Sequence, residues 1–125
     1  RPVSLTAMPE AILTKQEGES GKVDRLREWM AELRDREDEV METFTDEGIH
    51  AETVFLEHTD DATYLVTYLD ADDVVSAFEA FEDSLHDIDH EHQSVMDEVL
   101  VDGTDVGEYE PLSHLVNPER SNDGA

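Results

Sequence analysis

The stretch that decides the fold is Ile49-His50-Ala51-Glu52-Thr53-Val54-Phe55-Leu56-Glu57-His58, then Thr59-Asp60-Asp61-Ala62, then Thr63-Tyr64-Leu65-Val66-Thr67-Tyr68-Leu69-Asp70. Two runs of strand formers flank a tetrad of turn formers, which is the pattern of a β-hairpin. Side chains alternate along a strand, so pairing His58 with Thr63 puts Val54, Leu56, Leu65, Thr67 and Leu69 on one face. Thr53, Phe55, Glu57, Tyr64, Val66 and Tyr68 fall on the other. A two-residue turn at Asp60-Asp61 gives the same faces. The first face is an aliphatic surface on which helices can lie. The second mixes two tyrosines and a phenylalanine with a lone carboxylate, and a functional site is expected there.

Upstream of the hairpin, Ala11 to Gln16 reads as a strand that sets Ile12, Thr14 and Gln16 against Ala11, Leu13 and Lys15. The pattern leaves open which set faces the helices. Ser20 is placed to cap a helix running to about Asp46, with Val23, Leu26, Met30, Leu33, Val40, Met41 and Phe44 on one stripe and Gly48 ending it. Glu37 projects onto the middle of that stripe. The cost of burying an unpaired charge favours a solvated overhang there. Trp29, on the stripe's flank, is expected to anchor the edge of the core.

Downstream, Asp72 can cap a helix through Ser84 that turns Val74, Phe78 and Phe81 inward. After a break at His86-Asp87-Ile88, Asp89 is expected to cap a third helix reaching Val101, with His92, Val95, Met96, Val99 and Leu100 buried. The stretch Asp102 to Glu108 reads as loop. Tyr109 to Val116 reads as a last strand with Leu112, His114 and Val116 on one side, and Pro111 puts it at an edge. Residues 1–10 form a lead-in, 11–117 one domain and 118–125 a polar tail.

Strand, helix, strand, strand, helix, helix, strand is the order of an α+β protein, a ferredoxin-like βαββαβ sandwich with a split second helix. One sheet then carries helices on one face only. Its other face holds Phe55, Tyr64, Val66 and Tyr68, and such a patch marks an interface or a ligand groove.

Composition narrows the partners. The 125 residues suit one domain, and 8 basic against 34 acidic residues give a formal net charge of −26. Nucleic acid and anionic membrane surfaces are repelled by such a chain. Only Lys15 and Lys22 are lysines, and the acids are spread over every segment, as in proteins of salt-in halophiles. The absence of cysteine excludes disulfides and thiolate chemistry. No apolar run is long enough to span a bilayer, and residues 1–10 lack the apolar stretch of a signal peptide, so a cytoplasmic location is expected.

The stretches Gly21-Lys22-Val23-Asp24-Arg25-Leu26-Arg27-Glu28-Trp29, Glu52-Thr53-Val54-Phe55-Leu56-Glu57, Ile88-Asp89-His90-Glu91-His92 and Pro111-Leu112-Ser113-His114-Leu115-Val116-Asn117-Pro118 resemble an uncharacterised family of small acidic proteins common in haloarchaea. The resemblance covers about residues 11 to 119. It implies the fold and a halophilic setting, and no activity. The strand-Gly-Lys-helix opening is also similar to the dimeric α+β barrel superfamily, in which two ferredoxin-like sheets face each other. That likeness implies a homodimer, in a superfamily that spans cofactor-free monooxygenases, sugar mutarotases, dehydratases and plain ligand binders.

Two constellations could carry chemistry. Glu57 has Tyr64 as its cross-strand neighbour and Tyr68 one repeat further along. A carboxylate in a partly apolar groove with a phenol beside it suits proton transfer or recognition of hydroxylated ligands. His92 on an apolar stripe and His114 on the last strand are further acid/base candidates. The expected roles are Glu57 and His92 in proton transfer, with Tyr64, Tyr68 and His114 orienting a ligand. His86, His90 and His92 match no zinc spacing, and neither a metal nor a cofactor is expected. The reading that results is a homodimer binding a small organic molecule on the open sheet face, as a cofactor-free isomerase or monooxygenase-like enzyme. The alternative is a homodimeric protein-protein interaction module without turnover.

Overall fold

The computed structural model describes residues 10–118. In it β2 (Ile49–His58) pairs antiparallel with β3 (Thr63–Ala71), with His58 opposite Thr63 and Glu57 opposite Tyr64. This is the expected register. The turn is built by Thr59, whose amide donates to the Ala62 carbonyl at 2.9 Å while its hydroxyl oxygen accepts from the Ala62 amide at 3.0 Å. A threonine oxygen thus satisfies a turn amide that the strands cannot reach.

β1 (Glu10–Gly18) pairs antiparallel with β3, Ile12 opposite Leu69, Thr14 opposite Thr67 and Gln16 opposite Leu65. That settles the face left open by the alternation: Ile12, Thr14 and Gln16 share the helix side with the aliphatic set of the hairpin. β4 (Leu100–Asp105) joins the other edge of β1, giving the strand order β2-β3-β1-β4. With four helices and a four-stranded antiparallel sheet, the architecture is α+β and compatible with the ferredoxin-like plan.

The helices depart from expectation in ways that shape the interior. The single long helix is two: α1 (Val23–Asp35) and α2 (Glu37–Glu47) meet at Arg36. No glycine or proline marks the break. Arg36 holds it by ion pairs to Glu32 at 2.7 Å and Glu39 at 2.9 Å on either side, and to Glu91 of α4 (Asp87–Val99) at 2.8 Å. Glu37, Asp38 and Glu39 then fill the first turn of α2, where acids complement the helix dipole. Glu37 is exposed there. Lys22, not Ser20, precedes α1, with no side-chain cap. Gly48 ends α2 in the left-handed conformation, φ 72°, which only glycine adopts without strain.

α3 (Val74–Glu82) is capped by Asp73, one residue later than expected, whose carboxylate accepts from the Ser76 amide at 3.0 Å. α4 starts before Asp89, which therefore sits inside the first turn and is buried with Ile88, Val95 and Val99. The expected last strand is also displaced. β4 is Leu100–Asp105, and Tyr109 to Val116 has no regular structure. This segment runs back along the open face, starting with the Val106 amide donating to the Lys15 carbonyl at 2.7 Å. Of the expected lead-in, Glu10 belongs to β1, and residues 1–9 lie outside the described residues. Of the tail, all but Pro118 does as well.

The core forms two clusters. Leu26, Trp29, Leu65, Ile88, Val95, Val99 and Leu100 pack between α1, α4 and the sheet, while Ala71, Val74 and Ala77 pack with Ile12 and Ile49 under α3. Burying each large apolar side chain contributes roughly 1.5–3 kcal/mol. Trp29 is 2% exposed, so it is a core residue and not an edge anchor.

Candidate functional site

The sheet separates the sequence-predicted residues into two places. On the open face, Glu57 pairs with the Lys15 amine at 2.9 Å, and the same amine sits 4.3 Å from the centre of the Tyr64 ring. β1, β2 and β3 each put alternate side chains on this face, which brings lysine, glutamate and tyrosine together. The carboxylate raises the Lys15 pKa, first through their hydrogen bond. Tyr68 and His114 meet further along: the phenol oxygen lies 3.4 Å from Nδ1 of His114, whose Nε2 lies 3.0 Å from Oδ2 of Asp70. Burial, helped by the Asp70 charge, raises the Tyr68 pKa. The face thus carries two small networks, Lys15-Glu57-Tyr64 and Tyr68-His114-Asp70. His114 serves the second as the clasp by which the irregular C-terminal segment is held on the sheet.

His92 is on the opposite side of the sheet. There, a cavity of about 390 Å³ lies between the helices and the strands, within the range of about 300–1,000 Å³ common for small-molecule pockets. Leu65 and Ile88 of the first core cluster and Ala77 of the second line it, with Met30, Leu33, Val40, Phe44, Phe78, Phe81 and Met96. Into this apolar wall come Glu47, Glu52, Asp89 and His92. Glu52, on β2, and Phe78, on α3, also reach solvent, so the cavity is not sealed.

Helical spacing explains the placement. Asp89, His92 and Met96 are three and four residues apart on α4, and Val40, Phe44 and Glu47 follow the same rule on α2. Glu52 shares a strand face with Val54 and Leu56. Glu47 and Asp89 are 7% and 6% exposed and in hydrogen-bond contact with each other. Two carboxyl groups so close in an apolar setting cannot both ionise cheaply. The Glu47 pKa is pushed up to about 9, by burial first and then by the hydrogen bond to Asp89 and its charge. The pair therefore holds a proton at neutral pH. Oε2 of Glu47 and Oδ2 of Asp89 are buried and have no hydrogen-bond partner outside the pair. The apolar wall around it, then the Asp89 charge, also raises the Glu52 pKa, although the side chain reaches solvent.

His92 is oriented by the core. The indole Nε1–H of Trp29 donates to its Nδ1 at 2.8 Å, and the edge of Phe81 packs against its ring at 5.8 Å. Burial lowers its pKa against the opposing pull of Asp89. Nδ1 accepts, so the neutral ring carries its proton on Nε2. The three neighbouring histidines have separate partners: His86 meets Asp46 at 2.6 Å, His90 donates to the Ser84 carbonyl at 2.6 Å, and His92 takes Trp29. Among the described residues no group of three or more His, Asp or Glu could hold a metal ion.

Glu47, Asp89 and Glu52 were not singled out by the sequence reading, although each had a signal. Glu47 is three residues past Phe44 on the stripe, Glu52 has the parity of Val54, and Asp89 is three residues before His92.

Fold and site together define a small antiparallel α+β protein with an acid-lined cavity under its helices. The chain belongs to the family of unknown function DUF6176, whose family model matches residues 9–120. No curated protein and no solved structure matches it. No helix among the described residues is long and apolar enough to cross a membrane.

Proposed function

We propose that this protein binds a small organic molecule in the cavity between its helices and its sheet. The observation that carries this reading is the Glu47–Asp89 pair, buried at the wall of a ligand-sized apolar cavity with one buried oxygen of each carboxyl given no partner outside the pair. Native interiors rarely leave such atoms unsatisfied, and a ligand with converging polar groups would satisfy them. A proton held by the pair and a neutral imidazole beside it also suit proton transfer within the bound molecule, the chemistry of an isomerase. In this reading His92 keeps the acid/base role expected of it. Glu57, Tyr64, Tyr68 and His114 lie across the sheet from the cavity and would act on a different surface.

A fragment screen by NMR at molar KCl tests the site. Binding fragments should shift the Trp29 indole and His92 ring signals, and Thr67→Phe, which adds a ring to the cavity floor, should abolish the shifts. Glu57→Gln should leave them unchanged. Shifts confined to Tyr64 and Tyr68 would overturn the cavity reading in favour of the open face.

A second reading concerns that open face, as the contact surface of a homodimer of the facing-sheet kind. It is favoured by Phe55, 55% exposed, and by Leu112 and Leu115, 87% and 91% exposed on the segment clasped by His114. Side chains of this size are usually covered by a partner when they cluster. Light scattering at micromolar concentration should then report a dimer, and Phe55→Asp a monomer.

A further inference from the structure

We infer that the cavity takes an organic cation: a protonated primary or secondary amine on an apolar, ring-sized body. The inference rests on the cavity being a binding site and adds the chemical class of what binds.

The lining supplies the argument. Its acidic side chains are Glu47, Glu52, Asp89 and Asp105, and no lysine or arginine lines it. Two of the lining's donors, Thr43 and Gln16, are already used inside the protein, while the Thr14 and Thr67 hydroxyls and the Nε2–H of His92 have no partner among the described residues. The Thr43 hydroxyl donates to the Val40 carbonyl at 2.8 Å, and the Gln16 amide donates to the Gly103 carbonyl at 2.7 Å. Asp105 is also engaged, accepting from the Lys15 and Gly107 amides, both at 2.9 Å. One buried oxygen on each member of the pair, Oε2 of Glu47 and Oδ2 of Asp89, has no partner outside the pair. A group that offers two N–H donors and a positive charge satisfies both oxygens and offsets the second negative charge that the pair takes on when its shared proton leaves. A hydroxyl offers one donor and no charge to balance the acids. A carboxylate or phosphate would add a like charge beside an already anionic pair in an apolar wall.

The apolar wall sets the rest of the ligand. Phe44, Phe78 and Phe81 all line the cavity. Phenyl rings pack an apolar body, and their faces attract a cation. The whole chain, at −26, also concentrates cations at its surface before any of them enters.

Proton balance makes the inference measurable. The free pair holds one proton between two carboxyls, a net charge of −1. An alkylammonium entering with its own proton displaces the shared one to solvent, so the pair becomes −2 beside a +1 ligand and one proton is released. An amine should therefore bind more tightly as pH rises from 6 to 8, by up to about tenfold per pH unit. A neutral ligand releases no proton and shows no such slope.

The test uses the full chain at molar KCl with three probes of one shape: 3-phenylpropylamine, 3-phenylpropanol and 3-phenylpropionate. Titration calorimetry in buffers of different ionisation enthalpy reads affinity and protons released, and Trp29 fluorescence reads occupancy independently. The amine should bind at least tenfold more tightly than the alcohol, release close to one proton at pH 7, and exceed the propionate further still. Glu47→Gln, which keeps the shape of the side chain, should abolish proton release. Glu52→Gln, at a solvent-reaching position that does not threaten folding, should weaken the amine severalfold and leave the alcohol unchanged. If the alcohol binds as tightly as the amine, with Thr67→Phe blocking both, the cation assignment fails while the cavity reading stands. If none of the three binds, both fail.

Discussion

The indole N–H of Trp29 donates to Nδ1 of His92 at 2.8 Å, and this bond between α1 and α4 fixes which nitrogen of a cavity-lining imidazole carries the proton. Trp29→Phe would leave Nδ1 without its donor and the tautomer unfixed. Losing one partner of a buried hydrogen bond costs about 1–3 kcal/mol, and the smaller ring adds a packing loss. The variant should melt at lower temperature, and the ¹⁵N shifts of His92 should move away from those of a ring protonated on Nε2. In the parent, burial lowers the His92 pKa, so its NMR titration midpoint should lie below 6.5. The unfolded ring takes up its proton at about 6.5 and the folded one only at lower pH, so the stability tied to this residue is present above 6.5 and lost as pH falls.

Glu47 should have the opposite pH signature. Its carboxyl ionises near 4.5 ordinarily and near 9 in the folded protein. The contribution is therefore fully present below 4.5 and lost as pH rises toward 9, at up to about 1.4 kcal/mol per pH unit. Denaturant melts in molar KCl should show parent stability falling across that window. Glu47→Gln, which cannot ionise, should match the parent near pH 5 and exceed it by a few kcal/mol at pH 8. Equal pH slopes for the two proteins would show that the pair holds no shared proton.

The two findings also show what the sequence could and could not reveal. Strand parity is a local rule enforced by pleating, and it correctly gave the hairpin register and both of its faces. Side-chain position along a helix depends on where the helix begins. Reading Asp89 as a cap hid it, because two residues of earlier helix turn the same side chain from an end group into an inward-facing acid. Stopping the preceding helix at Asp46 hid Glu47 in the same way. The break at Arg36 has no local signal, since it is held by ion pairs that include Glu91, far along the chain. The last strand was misplaced because Leu100-Val101-Asp102-Gly103 has weak strand propensity of its own and is ordered by pairing with β1 and by burial of Leu100 in the core. Tyr109 to Val116 has stronger propensity but is held on the open face by the contacts of His114 with Tyr68 and Asp70 and pairs with no strand. Glu57 drew attention as an unpaired acid on an aromatic face. Its partner, Lys15, is on a strand whose facing the alternation did not decide.

Folding should depend steeply on salt. A net charge of −26 on 125 residues repels itself more in the folded state than in the expanded chain, and at 1 M salt the Debye length shrinks to about 3 Å. Far-UV circular dichroism should therefore give a thermal midpoint in molar KCl well above that in low-ionic-strength buffer. An unchanged midpoint would remove charge repulsion as a significant term.

Arg36 should behave in the reverse sense, because its ion pairs are strongest where screening is weakest. One guanidinium reaches Glu32 and Glu39 across the helix break and Glu91 on α4, and no other cation among the described residues joins these three acids. The pairs lower the pKa values of Glu39 and Glu91, in both cases first through the hydrogen bond to Arg36. Arg36→Gln would leave three mutually repelling carboxylates around a helix junction that has no glycine or proline to define it. The thermal midpoint should fall, and the drop should be larger in dilute buffer than in molar KCl. Arg36→Lys should recover only part of the loss, since a point charge cannot reproduce the planar fork that binds Glu39 and Glu91 through two nitrogens or oxygens each. The pH dependence gives an independent check. Carboxylates with lowered folded-state pKa values stabilise above about 4.5 and lose that contribution as pH falls. The gap between parent and Arg36→Gln should therefore be wide at pH 7 and close on acidification. A gap that persisted at pH 3 would mean that Arg36 acts through packing of its aliphatic stem and not through charge.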